Sequence, residues 1–311
     1  MKKYILKRVG MSILTLLVIL LVLFILMDLM PGSPFNDEKL TADQLALLYA
    51  KYGLDKPMIV RFGLYLKNML TGDLGVSYAI NKNFAIADML DGRIQVSILV
   101  GVLAMIIGTI IGLLLGIVAA LNHNTWIDNL CSAISVFGVS VPSYVCALLL
   151  CYFIAYKLQW LPILYSSSKP VSSLILPAVA LSVSPTANIA RFTRSELLDV
   201  LGSDYILLIK SKGVKDWKMI MKHAMRNALI PVVTVMGPIL VNLMTGSSVI
   251  EKIFGIPGLG TLMISGIQQN DYNVTIACSF VYSAMFIVMM LIVDILYGVI
   301  DPRIRVTAGE K

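Results

Sequence analysis

Charged residues are scarce in this sequence. Only 14% of its 311 residues are Asp, Glu, Lys or Arg, whereas 58% are hydrophobic; soluble globular domains carry about a quarter charged residues. This composition excludes a soluble globular protein and indicates a chain that crosses a membrane several times. The net charge of +7 does not indicate nucleic-acid binding, because the basic residues flank hydrophobic segments instead of lining one soluble face.

Residues for metal, thiol and phosphate chemistry are also few. Both histidines, His123 and His223, lie in polar loops and no HExxH pattern occurs, which excludes a zinc protease and an intramembrane serine protease. The four cysteines fall within hydrophobic runs without a CxxC pair, so we expect apolar core residues and neither disulfides nor a metal site. The dipeptide Gly-Lys never occurs, so the chain has no P-loop. We therefore expect no catalytic residue, metal or cofactor in this chain, and any ATP dependence must come from a partner.

Six hydrophobic segments are long enough to cross a membrane. The first spans about 33 Å as a helix, and the basic residues before it, Lys2, Lys3, Lys7 and Arg8, indicate a cytoplasmic N-terminus. No cleavage site follows, so we expect a retained transmembrane helix and not a signal peptide. The predicted fold is an all-α polytopic membrane protein with both termini cytoplasmic and one transmembrane domain over residues 1–311. The predicted spans are residues 9–30, 94–120, 127–156, 174–193, 229–250 and 274–300.

A long polar segment, the outer loop 31–92, separates the first two spans. Its acidic and basic residues are nearly balanced, which suits the outer face of the membrane. Thr41 and Gln44 form a capping-box pattern that predicts a short helix ending at about Gly53. We expect an ordered outer subdomain that belongs to the same domain, because its apolar content is too small for a core of its own. Further short helices are predicted at residues 58–71 and 84–91.

Small residues and prolines indicate how the spans pack and where a pathway could lie. Gly108, Gly112 and Gly116 give the second span a face almost without side chains, which allows close helix packing in lipid. Prolines inside spans remove backbone hydrogen bonds, which is tolerated where neighbouring helices or a wet cavity replace them. Transporters tend to place their pathways at such breaks. The kink and pathway candidates are Pro142, Pro177, Pro185 and Pro238.

An ion-coupled secondary transporter is the alternative from a different class. A charge at the centre of a span costs about 2.5–3.5 kcal/mol on insertion scales, so it often marks an ion relay. The candidates are Asp28, near the outer end of the first span, and Asp294, near the inner end of the sixth. Both lie near an interface, where a structural carboxylate is the more frequent explanation.

The polar loop 194–228 carries a strong positive excess. Between Arg191 and Arg226 there are eight Lys or Arg residues and four acidic residues, which marks the cytoplasmic side. Two interpretations are open. The loop is either an interfacial hairpin held by anionic lipid, at about 1 kcal/mol per basic residue, or a docking element for a cytosolic partner.

The same loop has an internal helix–turn–helix pattern. Gly213 separates a first apolar stretch from a second one, and Pro231 is predicted to begin the next hydrophobic helix. The second stretch is predicted to be a helix with one apolar face. The residues of that face are Trp217, Ile220, Met221 and Ala224.

Three short motifs in this loop occur in a known order. They are Asp204-Tyr205, Lys212-Gly213 and the run His-Ala-Met-Arg-Asn-Ala-Leu-Ile-Pro from His223 to Pro231. The loop resembles the cytoplasmic coupling loop, or EAA loop, of ABC importer permeases of the oligopeptide/dipeptide/nickel group. Here Leu207-Leu208-Ile209 occupy the Glu-Ala-Ala part. Further motifs in the order of the B-type permeases of this group include Met30-Pro-Gly-Ser-Pro34, Gly53-Leu-Asp-Lys-Pro57, Thr71-Gly-Asp-Leu-Gly75, Phe254-Gly-Ile-Pro-Gly-Leu-Gly260, Asp271-Tyr272 and Asp301-Pro-Arg303.

The resemblance implies a type I ABC importer permease fold and a role as one half of a translocation pore. It implies four kinds of partner: a second, C-type permease, two ABC ATPase subunits, an extracytoplasmic peptide-binding protein and the peptide itself. The chain would not be an enzyme, since ATP and Mg²⁺ would be bound by the ATPase subunits. The cargo implied is oligopeptides, with dipeptides, nickel or glutathione as the alternative. The residues implied in coupling are Asp204, Tyr205, Lys210, Lys212, Gly213, Arg226, Asn227 and Pro231.

Overall fold

The computed structural model describes residues 2–29, 35, 41–245 and 248–300 of the chain, and these residues are predominantly helical. One isolated antiparallel bridge joins Val76 and Ala85. The first seven helices are α1 (Lys2–Leu29), α2 (Ala42–Tyr52), α3 (Met58–Leu70), α4 (Ile86–Leu90), α5 (Arg93–Leu121), α6 (Trp126–Ser140) and α7 (Ser143–Leu150), which continues as a π-helix over Cys151–Lys157. The others are α8 (Pro170–Leu201), α9 (Asp204–Ser211), α10 (Asp216–Lys218), which continues as a π-helix over Met219–Ala224, α11 (Met225–Thr245), α12 (Ser248–Ile253), α13 (Leu259–Gln268) and α14 (Tyr272–Ile300).

Five helical segments in the described residues are long and apolar enough to cross a membrane. A sixth candidate is the pair formed by α6 and α7 with its π-helical continuation, whose two halves meet at 99°. The predicted all-α fold with six spans is thereby confirmed, with the third span broken. Pro142 lies at that break, where the sequence predicted a kink. The motifs at Met30–Pro34 and Asp301–Arg303 lie outside the described residues.

The helices group into two compact units, which we describe separately. The first unit comprises residues 1–97 and 257–288. One of its cores joins α1, α3 and α14, where the ring of Phe24 lies 5.3 Å from that of Tyr65. A second core joins α4, α13 and α14 around Ile86, Leu259 and Val274. The described helices α3 and α4 of the outer loop therefore pack against spans of their own unit.

Short helices of the outer loop form where the sequence predicted them. The Thr41 hydroxyl accepts from the Gln44 amide and the Gln44 side chain accepts from the Thr41 amide, which completes the capping box that opens α2. Gly53 ends α2 with φ +66°, a left-handed conformation that glycine adopts without a Cβ penalty. The helices predicted at 58–71 and 84–91 correspond to α3 and α4.

A buried carboxylate anchors the loop before α4 to the start of α14. Asp271 is completely buried, and its oxygens accept from the Ser77 hydroxyl at 2.6 Å. They also accept from the backbone amides of Tyr78, Ala79 and Ile80 at 2.9–3.1 Å. These hydrogen bonds replace the hydration that the buried carboxyl group loses. The Asp271-Tyr272 motif thus fixes a long-range contact between the outer loop and a span.

The second unit comprises residues 98–256 and 289–311, and α8 lies at the centre of its described part. α6, α7 and α11 pack against α8. The glycine face of α5 also lies on α8: a Cβ at Gly112 would come within 2.8 Å of the Thr186 carbonyl oxygen, and one at Gly116 within 2.6 Å of the Ala190 carbonyl oxygen. Side chains at these positions would separate the two helices. The close packing predicted from the glycine spacing is confirmed.

The prolines of the fourth span do not break it. α8 runs without interruption through Pro177 and Pro185, and both are buried. The Pro185 ring occupies the space left by Gly108, where a Cβ would lie 2.9 Å from that ring. The helix is supported by its neighbours on several sides, which offsets the missing backbone hydrogen bonds. Pro231 and Pro238 likewise lie inside α11.

Candidate functional site

The basic loop of the sequence folds as a hairpin, which we call the coupling hairpin and define as residues 203–228. Its first arm is α9, and its second arm is α10 with the π-helical segment and the first turn of α11. Gly213 forms the turn between the arms with φ +74°, and its amide donates to the Lys210 carbonyl at 3.0 Å. A Cβ at Gly213 would meet nothing within 4 Å. The glycine is thus required for its backbone conformation and not for space.

The buried face of the second arm differs from the predicted one. Met219 and Ala224 are buried, whereas Trp217 and Met221 are exposed, with 64% of Trp217 accessible. The cause is the π-helical turn, in which the Met225 amide donates to the Ile220 carbonyl five residues before it. One additional residue in the turn rotates the helical face. The predicted face that grouped Trp217, Ile220, Met221 and Ala224 is therefore wrong.

The inner face of the coupling hairpin is an apolar core. Ile206 is 2% exposed and packs in one cluster with Met219, Ala224 and the end of α8 at Leu197. Ala228 of α11 belongs to the same cluster. Burying a side chain of this size stabilises by about 1.5–3 kcal/mol. The hairpin is thus attached to two predicted spans by packing, so that a displacement of the hairpin is transmitted to both.

The outer face of the coupling hairpin is apolar as well, yet it is exposed. Leu207 and Leu208 are each 56% exposed, and Tyr205 is 37% exposed. Together with Trp217 and Met221 they form what we call the outer patch. Several large apolar side chains grouped on one small element are characteristic of an interaction surface.

Polar residues implied in coupling surround this patch. Asp204, Lys210, Lys212 and Arg226 are exposed, and none of them makes an ion pair with another described residue. Asp204 lies in the first turn of α9 and Lys210 in its last, where each charge complements the helix dipole. Asn227 donates through Nδ2 to the Tyr205 hydroxyl at 2.7 Å.

Pro231 is the one implied coupling residue that lies outside the coupling hairpin. It is inside α11, which begins at Met225, and not at the start of a helix as predicted. The π-helical segment joins α10 to α11 without a gap, so no new helix needs to begin at the proline. The structure thus groups seven of the eight implied residues on one hairpin.

The sequence interpretation did not identify an ion pair near the start of α6. Asp128 is 2% exposed, and Arg194 of α8 donates to it through Nε at 2.6 Å and through Nη2 at 2.7 Å. The Asn124 amide donates to the same carboxylate at 3.1 Å, and His123 Nδ1 lies 3.3 Å from it. This bidentate pair ties α6 to the end of α8. The sequence does contain a signal for this pair: an acidic residue at the start of one span and an arginine near the end of the next.

Polar side chains form a groove along α8. A cavity of about 220 Å³ is lined by Ser184 and Asn188 of α8, Ser143 of α7 and Asn242 of α11. A second cavity of about 460 Å³ continues past Asn188 to Arg191. Of the pathway candidates, Pro185 lines the first cavity, whereas the prolines at 177 and 238 line neither.

Of the two acids of the ion-coupled alternative, one is described. Asp28 pairs with Arg61 in the first unit. The side chain of Asp294 lies outside the part of the chain that the structure describes.

Comparison with known families gives two matches. Residues 112–306 match the binding-protein-dependent transport system inner membrane component, and residues 1–83 match the N-terminal part of such membrane components. The dipeptide transport system permease protein DppB of Lactococcus lactis subsp. cremoris is 42% identical over 305 residues, which cover 98% of this chain and 100% of the relative. The oligopeptide transport system permease protein OppB of Salmonella typhimurium is 39% identical over 306 residues, 98% of this chain and 100% of the relative.

Solved structures confirm the fold. An inward-facing form of the MetNI methionine ABC transporter superposes with a TM-score of 0.56 at 19% identity over 68% of this chain and 96% of the other. A second amino acid ABC transporter gives a TM-score of 0.55 at 15% identity, over 68% of this chain and 94% of the other. The chain thus belongs to the family of binding-protein-dependent transport system inner membrane components, as its resemblance to ABC importer permeases predicted.

Proposed function

We propose that the chain forms one half of the membrane pore of an ATP-driven importer of short peptides. The observation that carries this proposal is the coupling hairpin, which combines a packed inner face with an exposed apolar outer patch. Such an element is suited to transmit the movement of a bound partner to the spans. Family membership supports this proposal over an ion-coupled secondary transporter.

Under this proposal the outer patch docks into a groove of a cytosolic ATPase subunit. Tyr205, Leu208 and Trp217 would be desolvated at the centre of the interface, where binding energy is concentrated. Lys210, Lys212 and Arg226 would lie at its rim and steer association. ATP binding shifts the pore between its states only to the extent that the hairpin contacts differ between them.

The remaining parts of the complex follow from the same proposal. The C-type permease supplies the other half of the pore, and a peptide-binding protein delivers cargo to the outer loop 31–92. ATP and Mg²⁺ are held by the ATPase subunits, so this chain itself binds no cofactor. Both termini and the coupling hairpin face the cytoplasm, as the distribution of basic residues predicts. The polar groove at Ser184, Asn188 and Asn242 is the part of this chain that lines the pathway, because amides and hydroxyls can pair transiently with peptide groups.

The proposed cargo is oligopeptides, with dipeptides as the first alternative. One relative that is 42% identical is named a dipeptide transport permease, and another that is 39% identical is named an oligopeptide transport permease. Nickel and glutathione are the alternative cargoes.

The experiment is purification of the tagged chain in mild detergent, followed by reconstitution into proteoliposomes with its binding protein. We expect a second permease and P-loop ATPases in the preparation, and ATP-driven uptake of dipeptides or oligopeptides in preference to Ni²⁺ and glutathione. Uptake of Ni²⁺ or glutathione alone would replace the peptide proposal. A chain that purifies alone, or only with copies of itself, would overturn the ABC importer role.

A further inference from the structure

Helix α3 of the outer loop has three faces of different character. Residues three and four apart along an α-helix share a face. The first face is apolar and packed, and its Tyr65 and Phe62 belong to the core that α3 shares with α1 and α14. The second face is polar, and its Arg61 and Asn68 line a cavity of about 490 Å³. The third face occupies the remaining side of the helix and is exposed, although most of its side chains are apolar.

We call this third side the lateral face of α3. Ile59 is 75% exposed and Leu70 is 84% exposed, and both belong to this face. At 100° per residue, all members of the face fall within an arc of about 140°. Large apolar side chains grouped in this way are characteristic of an interaction surface. The members of the lateral face are Ile59, Val60, Gly63, Leu64, Lys67 and Leu70.

The two spans that α3 touches define its depth in the membrane. The first span ends at Leu29, and the last one begins at Tyr272. Phe24, whose ring packs on Tyr65, lies five residues before Leu29, which is about 7 Å along the helix axis. Ile276 of the same core lies four residues after Tyr272, which is about 6 Å along its helix. Interfacial amphipathic helices lie at this depth, at the boundary between headgroups and acyl chains.

The surface of α1 beside α3 is apolar and exposed as well. Only 11% of the most apolar stretch of this span is buried. Val22, Ile25 and Leu26 are among its exposed side chains. A helix that is apolar on nearly every side and is not covered by protein has acyl chains as its surroundings. Because α3 packs on α1, the lateral face of α3 continues a surface that already faces lipid.

We propose that α3 is an in-plane membrane helix whose lateral face contacts the acyl chains of the leaflet at this end of α1. Ile59, Leu64 and Leu70 lie among the acyl chains. The stem of Lys67 lies along the same apolar surface, and its ammonium group reaches the lipid phosphates. The lipid contact holds the outer loop against the membrane with the polar face of α3 toward water. This inference depends on the spans alone and not on the nature of the cargo.

Spin-label accessibility tests this contact in the purified complex that contains the chain, in nanodiscs of phosphatidylethanolamine and phosphatidylglycerol. A nitroxide attached through p-acetylphenylalanine replaces Ile59 or Leu70, so the native cysteines remain unchanged. The matched control replaces Asn68 on the polar face of the same helix. Power-saturation EPR compares collisions with oxygen, which concentrates among acyl chains, and with a polar nickel chelate, which stays in water. We expect the oxygen-to-chelate ratio at Ile59 and Leu70 to exceed that at Asn68 on the order of tenfold.

The two collision rates distinguish lipid from the other possible occupants of the lateral face. Equal chelate access at Ile59, Leu70 and Asn68 would place this face in water and overturn the proposal. Protection of Ile59 and Leu70 from both reagents would show that a protein, such as the binding protein or the second permease, covers the face, and would overturn it too. If a label at either position prevents assembly, Val60 and Leu64 provide two further positions on the same face, with the same expected ratio.

Discussion

The two faces of the coupling hairpin carry similar side chains in opposite environments. Ile206 and Met219 are buried against α8 and α11, whereas Leu207, Leu208 and Trp217 are exposed. Burial explains the inner face, because apolar area removed from water stabilises the fold. Nothing in the folding of this chain explains the outer patch. The inner residues therefore serve stability, and the exposure of the outer residues supports the proposal that they contact a partner.

The largest effect on stability is expected from the inner face. Ile206→Ala removes buried methyl groups and leaves a cavity in the core between the hairpin and α8. We expect a loss of about 2–5 kcal/mol in the free energy of unfolding, measured as a lower thermal midpoint in detergent. Uptake should fall in proportion to the folded protein. An unchanged midpoint would contradict the distinction between the faces.

The ion pair at the end of α8 is expected to rank next. Asp128→Asn leaves Arg194, whose side chain is 30% exposed, without its carboxylate, at a cost of about 1–3 kcal/mol. Arg194→Lys keeps the charge but loses the bidentate geometry, and should cost less. Thermal unfolding of both variants checks this order. A larger loss for Arg194→Lys would show that geometry outweighs charge here.

The turn between the arms should give an intermediate effect. Gly213→Val forces a β-branched residue to φ +74°, at a strain of about 1–2 kcal/mol. Gly213→Asn is the control, since asparagine tolerates this conformation better. We expect uptake to fall for valine and to be largely retained for asparagine. If the valine variant assembles and imports normally, the turn has no part in coupling.

The hydrogen bond between the arms should contribute less. Asn227→Ala removes the donor to the Tyr205 hydroxyl. Both positions are exposed, so a water molecule can take the place of this donor. We expect a loss of about 0.5–1.5 kcal/mol, seen as a small shift of the thermal midpoint. A shift as large as that of Ile206→Ala would place this bond in the core of the hairpin.

The smallest effect on stability should accompany a large effect on transport. Leu207→Ser with Leu208→Ser changes only exposed side chains, so we expect a change within about 0.5 kcal/mol in the unfolding free energy. ATP-driven uptake should nevertheless fall at least tenfold. Normal uptake by a stable double variant would remove the outer patch from the interface with the ATPase.

The helices and the turn at Gly213 could be predicted from the sequence. Which faces of the helices are buried could not. Gly213 and the capping box at Thr41 act through local backbone conformation, so their effects could be predicted from neighbouring residues. The exposure of Trp217 depends on a π-helical turn, which adds one residue without a sequence signal. Pro177 and Pro185 looked like breaks, yet packing around α8 maintains the helix.

Long-range polar contacts were the other part that could not be predicted. Asp128 meets Arg194, 66 residues away, and Asp271 meets Ser77, 194 residues away. Each pairing depends on which helices become neighbours. A single sequence shows which residues are polar or charged, but not which of them become neighbours in the fold.

Site-specific photo-cross-linking tests the central claim most directly. A benzophenone amino acid is placed at Leu208 in the outer patch, and at Leu47 of α2 as an equally apolar control that is 70% exposed. After irradiation of native membranes, we predict that position 208 cross-links to a P-loop ATPase and that position 47 does not. Cross-links from 208 to lipid alone, while the ATPase co-purifies with the chain, would contradict the account and leave the coupling hairpin as a lipid-bound element.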